Sequence, residues 1–433
     1  MDNGAAVLTT GASSDELLSP PPPGFFQTLG PGLVTGAADD DPSGIATYSQ
    51  VGAQFGYGLA WTMLFSFPLM AAIQAISARI GSVTGRGIAS NLRRHYSPWL
   101  LRTVLLLLIV ANVFNLGADL GAMGAALKLL LGGSQHLYTV AFGVISVLIQ
   151  TYVSYERYAA MLKWATLSLF SYVAVVFAAQ VPLGTALHGA LIPQLTLDST
   201  HAMALVAILG TTISPYLFFW QAGQEVEELH RRHLKPLFVA PKAASGELAR
   251  IRLDTIVGMG FSNLIALFII LATAATLNAH GVTDIQTSGQ AAEALRPIAG
   301  PCTFALFTIG IVATGMLAIP VLAGSVAYAV SETFRWPEGL DHRPHEAKAF
   351  YAAIAMATLA GLALNFVGID EIKALYWSAV LNGVLAAPLM VVIMLVATNR
   401  RVMGRLILPR SLAVVGWLAT VVMATATAGF FLL

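Results

Sequence analysis

The sequence predicts an all-α polytopic membrane protein of about eleven transmembrane helices, read as two inverted repeats of five helices each, with helices one and six broken. Three observations carry this. Of the 433 residues, 57% are hydrophobic and 10% charged, against about 25% charged in soluble domains, and the mean hydropathy is +0.74. Apolar runs of spanning length recur along the chain, where a transmembrane barrel would show short alternating segments. Two of those runs, near 33–59 and 202–224, carry a proline among polar residues at mid-depth.

Residues 1–29 hold Asp2, Asp15, Glu16 and the run Pro20-Pro21-Pro22-Pro23, without Lys or Arg. They lack the basic start of a signal peptide and read as a disordered cytoplasmic tail. Residues 30–433 form one transmembrane domain. Runs near 33–59, 60–78, 101–131, 137–153 and 159–182 make the first repeat, about 33–182. Runs near 202–224, 254–278, 302–330, 349–367 and 373–397 make the second, about 202–397, and 411–433 is an extra helix. Of the 23 Lys and Arg, all but Lys128, Arg296 and Lys373 fall in loops of one parity. Cytoplasmic loops carry the basic excess, so the N-terminus lies inside and the C-terminus outside. A plasma or bacterial inner membrane is the expected setting, with the lipid bilayer as surroundings.

A net charge of +1 gives no reason to expect nucleic acid. Cys302 is the only cysteine, which excludes an intramolecular disulfide and a cysteine-based zinc cluster. Neither a cofactor nor an obligate protein partner is indicated.

The first broken run is organised around Ala37-Ala38-Asp39-Asp40-Asp41-Pro42-Ser43-Gly44. A carboxylate at mid-bilayer costs about 2.5–3.5 kcal/mol, while a Leu, Ile or Phe returns about 0.3–0.6. Three acids facing lipid are not offset by this segment, so they face protein or water. Pro42 removes an amide donor and clashes with the preceding turn. Interrupted backbone at membrane depth is tolerated where it is buried in protein or lines a cavity. An acidic, broken helix is thus a candidate cation site; the plainer reading is two short helices with an acidic loop at the membrane surface. The second broken run, Leu209-Gly210-Thr211-Thr212-Ile213-Ser214-Pro215-Tyr216, repeats the peculiarity. Pro215 alone reads as an ordinary kink. Paired with Pro42 in an inverted half, it points to a transporter's mid-membrane site. Glu225, Glu227 and Glu228 read as a solvated inner face or a vestibule lining, and Gly117 with Gly121 as a close-packing pair.

Gly30-Pro31-Gly32-Leu33 leading to Asp41-Pro42-Ser43-Gly44 resembles the first helix of the NRAMP family of divalent-metal transporters. Ser77-Ala78-Arg79-Ile80-Gly81 with Val83-Thr84-Gly85, Ala118-Asp119-Leu120, Gly210 to Tyr216, and Arg401-Val402-Met403-Gly404 resemble later family segments in the same order. The likeness implies a leucine-transporter-like fold with the metal, as substrate, between helices one and six. It implies Asp41 as carboxylate ligand, with the carbonyls of Ala38 and Thr211 facing the ion. The family's Asn ligand falls on Gly44, its Met on Ser214 and its His on Tyr216, while Asp39 and Asp40 stand where typical members are apolar or aromatic.

Soft and nitrogen ligands are thus exchanged for oxygen. A thioether helps select transition metals, whereas Mg²⁺ is usually held through a few carboxylates with waters retained. The expectation is import of Mg²⁺ and/or Mn²⁺ by alternating access, in keeping with a divergent magnesium-transporting branch of the family. Asp119 keeps one acid of the family's proton pathway, but the next falls on Ala122 and the His on Tyr216, so proton coupling is expected to be weak or absent. Asp119 also reads as a structural partner to an arginine or a helix end. Asn382 is the polar residue nearest the family's Gln, and reads equally as an interhelical amide. The alternatives are a proton-coupled Mn²⁺/Fe²⁺ importer and a sodium-coupled amino-acid or amine carrier of the same fold. An intramembrane enzyme holding Mg²⁺-diphosphate would need a second aspartate cluster, which the chain lacks.

Overall fold

The computed structural model describes residues 31–153, 166–179, 181–340, 342–368 and 370–433. The expected tail, and the start of the fifth span with Arg157 and Lys163, lie outside the described residues. Helices of eight residues or more are numbered in chain order. The first predicted span is two helices, α1 (Pro31–Asp39) and α2 (Pro42–Phe55). Pro42 opens α2, where a missing amide costs nothing. Asp41 precedes it as N-cap with extended backbone, φ −71° and ψ 169°. There follow α3 (Trp61–Thr84), α4 (Ile88–His95), α5 (Pro98–Leu131) and α6 (Gln135–Tyr152). Next come α7 (Phe170–Ala178) and α8 (Leu183–Leu191).

The second break divides α9 (Ser199–Thr212) from α10 (Pro215–Arg231), again with proline at the first helical position. The chain ends in α11 (Ala244–Thr276), α12 (Thr303–Phe334), α13 (Lys348–Leu364), α14 (Glu371–Thr398) and α15 (Arg410–Leu432). By length and composition, seven helical units among the described residues can cross a membrane, α9 and α10 counting together. Two amphipathic or surface pieces, α4 and α8, were not foreseen.

Packing brings the breaks together. α1 lies on α10, α2 lies on α9, and both halves of the first broken helix rest on α11. α5 is the central strut, packed on α6, α12, α13 and α14. The α1–α11 crossing is glycine on glycine: a Cβ on Gly36 would sit 2.2 Å from the Gly258 oxygen. Gly117 and Gly121 face α13, with a Cβ on Gly117 falling 2.7 Å from the Gly361 oxygen. They are the packing pair expected.

Candidate cation site

Asp41 sits at the entry to α2, and its carboxylate faces two ways. Oδ1 accepts from the Gly44 amide and the Ser43 hydroxyl, each at 2.7 Å, which satisfies an amide that the start of a helix leaves open. Oδ2 accepts from Asn115 Nδ2 of α5 at 2.9 Å and from the Tyr216 hydroxyl of α10 at 3.3 Å. The same hydroxyl lies 3.3 Å from the Ala38 oxygen. Its single proton is therefore shared between the carboxylate of one break and the freed carbonyl of the same break. Asp41, Ala38 and Tyr216 are thus brought together across the two broken helices.

Gly44 lets the two breaks approach closely. A Cβ there would lie 3.0 Å from Thr211 Oγ1 and 3.4 Å from the Asp39 oxygen. Thr211 therefore meets the break through its hydroxyl. The Thr211 carbonyl accepts from the Ser214 hydroxyl at 2.8 Å, which also reaches the Gly210 oxygen at 3.0 Å. Ser214 thus ties off the end of α9, and its lone pairs are what it has left to offer an ion.

Asp39 and Asp40 turn away from Asp41, toward α11. Their Oδ2 and Oδ1 atoms lie 2.7 and 3.0 Å from the hydroxyl of Ser262. Asp39 Oδ1 and Asp40 Oδ2 have no hydrogen-bond partner among the described residues. The three consecutive acids do not converge. Among the described residues, no three His, Cys, Asp or Glu side chains gather closely enough to hold an ion by themselves. Each of the three is 1% exposed, so the acids of the break are shut off from solvent. No Lys, Arg or His forms an ion pair with them or with Asp119 among the described residues.

Asp119 is fully buried on α5. Its Oδ2 accepts from Asn115 Nδ2 at 3.3 Å, and it faces the Ser43 amide at the start of α2. Asn382 of α14 donates from Nδ2 to Asn115 Oδ1 at 3.2 Å, so it reaches the site through Asn115.

Below the break, α1 is fastened by its first turn. Asp254 of α11 accepts from the amides of Gly32 and Leu33 at 2.7 and 3.1 Å, supplying from another helix the negative cap that a helix start favours. The Thr35 hydroxyl reaches Gln221 of α10 at 2.5 Å, and Gln221 donates to Glu225 at 3.1 Å. Glu225 accepts from Arg250 at 2.8 Å, and Arg250 also holds Glu247 at 2.7 Å.

The solvated-face reading of the three glutamates needs correction. Glu225 is 1% exposed within this network, and Glu227 is buried against the Tyr328 hydroxyl and the Leu340 amide. Only Glu228 pairs with Arg231 in a more open setting. A carboxylate one turn from a basic cluster looks like surface in the chain, but helix packing here brings the cluster inside.

Asn115, Ser262 and Asp254 were not anticipated. Asn115 had one available signal: it lies four residues, one helical turn, before Asp119 on an otherwise apolar helix, which puts both on one face.

The model of the family described as natural resistance-associated macrophage protein-like matches residues 32–433. The chain is 28% identical over 408 residues to the divalent metal cation transporter MntH of Klebsiella pneumoniae (strain 342), covering 92% of each. It is 27% identical over 404 residues to that named from Deinococcus radiodurans, covering 91% of this chain and 87% of the relative. In structure it resembles the manganese transporter of Eremococcus coleocola, solved with an aromatic bis-isothiourea compound. The TM-score is 0.73 at 16% identity, covering 94% of this chain and 87% of that one. MhsT bound to L-phenylalanine superposes with a TM-score of 0.62 at 12% identity, covering 92% and 98%, which extends the architecture to leucine-transporter-like carriers. With a family model that spans the whole described fold and two broken helices meeting at its centre, the chain belongs to the Nramp family.

Proposed function

We propose that the protein is a secondary transporter that carries a divalent cation, Mg²⁺ and/or Mn²⁺, into the cytoplasm by alternating access, with weak or absent proton coupling. The observation that carries this is the closed meeting of the two breaks, where one carboxylate, Asp41, is surrounded by neutral oxygen and amide groups. Asp41, the Ala38 carbonyl, and the Thr211 and Ser214 oxygens form the ion's surroundings. Asp39, Asp40, Gly44, Tyr216 and Asn382 lie around them, and Asp119 stands behind.

The side chains bonded across the break are carboxylates, amides and hydroxyls. Oxygen donors with room for retained water suit Mg²⁺ and Mn²⁺ better than softer ions. A proton relay needs titratable groups within hydrogen-bond reach of one another. Between Asp41 and Asp119 stands the amide of Asn115, which does not titrate. The inverted repeats and the cytoplasmic N-terminus are part of this reading, supported by the distribution of Lys and Arg. A second reading, a proton-coupled Mn²⁺/Fe²⁺ importer, is favoured by the names of the relatives, which are a divalent metal cation transporter and a manganese transporter.

Uptake of Mg²⁺, Mn²⁺ and Fe²⁺ into proteoliposomes, measured separately with internal pH recorded, decides between them. The expected result is uptake of Mg²⁺ and Mn²⁺ without internal acidification. Strong preference for Mn²⁺ or Fe²⁺ with clear acidification would establish the second reading.

A further inference from the structure

We propose that Asn115 is the positioning residue of the site: it sets the plane of the Asp41 carboxylate for the ion and transmits to it the influence of Asn382. This rests on the proposed function, since it concerns how that site holds its ion.

Asn115 is fully buried in the middle of α5. An amide side chain offers two N–H donors and one acceptor oxygen. Here Nδ2 donates to Asp41 Oδ2 at 2.9 Å and to Asp119 Oδ2 at 3.3 Å, while Oδ1 accepts from Asn382 Nδ2 at 3.2 Å. The network permits one orientation. Turning the amide over would set its oxygen against two carboxylates and its nitrogen against the nitrogen of Asn382. Three helices thus meet at one side chain: α2 through Asp41, α5 through Asn115 and Asp119, and α14 through Asn382.

The consequences for Asp41 differ at its two oxygens. Oδ1 stays anchored to the start of α2 whatever Asn115 does, through Gly44 and Ser43. Oδ2 has only Asn115 and the hydroxyl of Tyr216, which it shares with Ala38. Without Asn115 the carboxylate keeps its place but loses the bond that fixes its rotation. Hydrogen bonds to charged groups in a buried network are the stronger ones. The loss falls on ion affinity, because Oδ1 still anchors Asp41 to the start of α2.

The test uses full-length protein in proteoliposomes, with initial rates of Mn²⁺ and Mg²⁺ uptake as functions of concentration. Asn115→Ala is expected to raise KM about tenfold while Vmax stays within about twofold. Asn115→Ser, which keeps one shorter donor, is expected to fall between it and the wild type. Asn382→Ala is expected to raise KM about threefold, and the double variant to be no worse than Asn115→Ala alone, since Asn382 acts through Asn115. Unchanged KM in Asn115→Ala, or in Asn115→Ser if the alanine variant is not recovered folded, overturns the proposal. So does a double variant whose effects multiply, which would make Asn382 an independent contact. Wild-type protein that carries neither ion removes the proposed function itself, an outcome distinct from wild-type transport that the Asn115 variants leave untouched.

Discussion

Asp41 combines two roles that substitution can separate. As N-cap of α2 it accepts the Gly44 amide; as the carboxylate at the gap it carries the charge. Asn caps helices about as well as Asp, whereas Ala costs about 1 kcal/mol. Asp41→Asn keeps the cap but sets an amide nitrogen against Asn115 Nδ2, so it is expected to abolish uptake with a smaller loss of thermal stability than Asp41→Ala, which loses the cap as well. Retained uptake in the asparagine variant would show that the charge is not needed. Ser214→Met would free two carbonyls at the end of α9 and introduce a thioether, and should shift preference from Mg²⁺ toward Mn²⁺ or Fe²⁺ in competition uptake; an unchanged ratio would place that residue outside the ion's reach. Among single residues, the chain reveals those whose chemistry is out of place, such as acids and prolines in an apolar run. It hides Asn115 and Ser262, because one amide or hydroxyl in a membrane helix is common and only the packed neighbour shows what it faces.

At the level of helices, the two breaks were legible because proline and clustered acids oppose a continuous span for independent physical reasons. α4 and α8 were not, since each is too short to stand out from a loop. Which helix covers the acids was also hidden: contact between α1 and α11 depends on small residues far apart in the chain. That contact makes a prediction. Gly36→Val places two methyl groups where the Gly258 backbone already stands. It is expected to cost about 3 kcal/mol by overpacking, read as a lowered midpoint of thermal unfolding in detergent. An unchanged midpoint would mean that α1 does not rest on α11.

Across the molecule, the long apolar runs were readable because the bilayer imposes a length rule on every span. The burial of the loop carboxylates was not, since it depends on side chains from several loops. Glu338, in the loop between α12 and α13, is one of them. Its carboxyl is pushed up from 4.5 to about 9 by burial, then by Glu332 and Glu227, with Arg93 acting in the opposite direction. A folded value above the unfolded one means that the folded form holds this proton more tightly. Its contribution to stability is full below 4.5 and is lost as pH rises through about 9. The unfolding temperature is therefore expected to fall as pH rises from 4.5 to about 9, and Glu338→Gln to flatten that fall. Parallel curves for the two proteins would assign the pH response to other groups.

The fastening of α1 has a mechanical consequence. A nine-residue rod is clasped at its tip by one carboxylate, rests midway on a glycine bearing, and ends at the break that precedes Asp41. Freeing α1 requires parting two amide contacts to a carboxylate, each worth about 1.5–3 kcal/mol, and one hydroxyl contact worth about 1 kcal/mol. In the transport cycle proposed above, these same few contacts fix how readily this short lever swings.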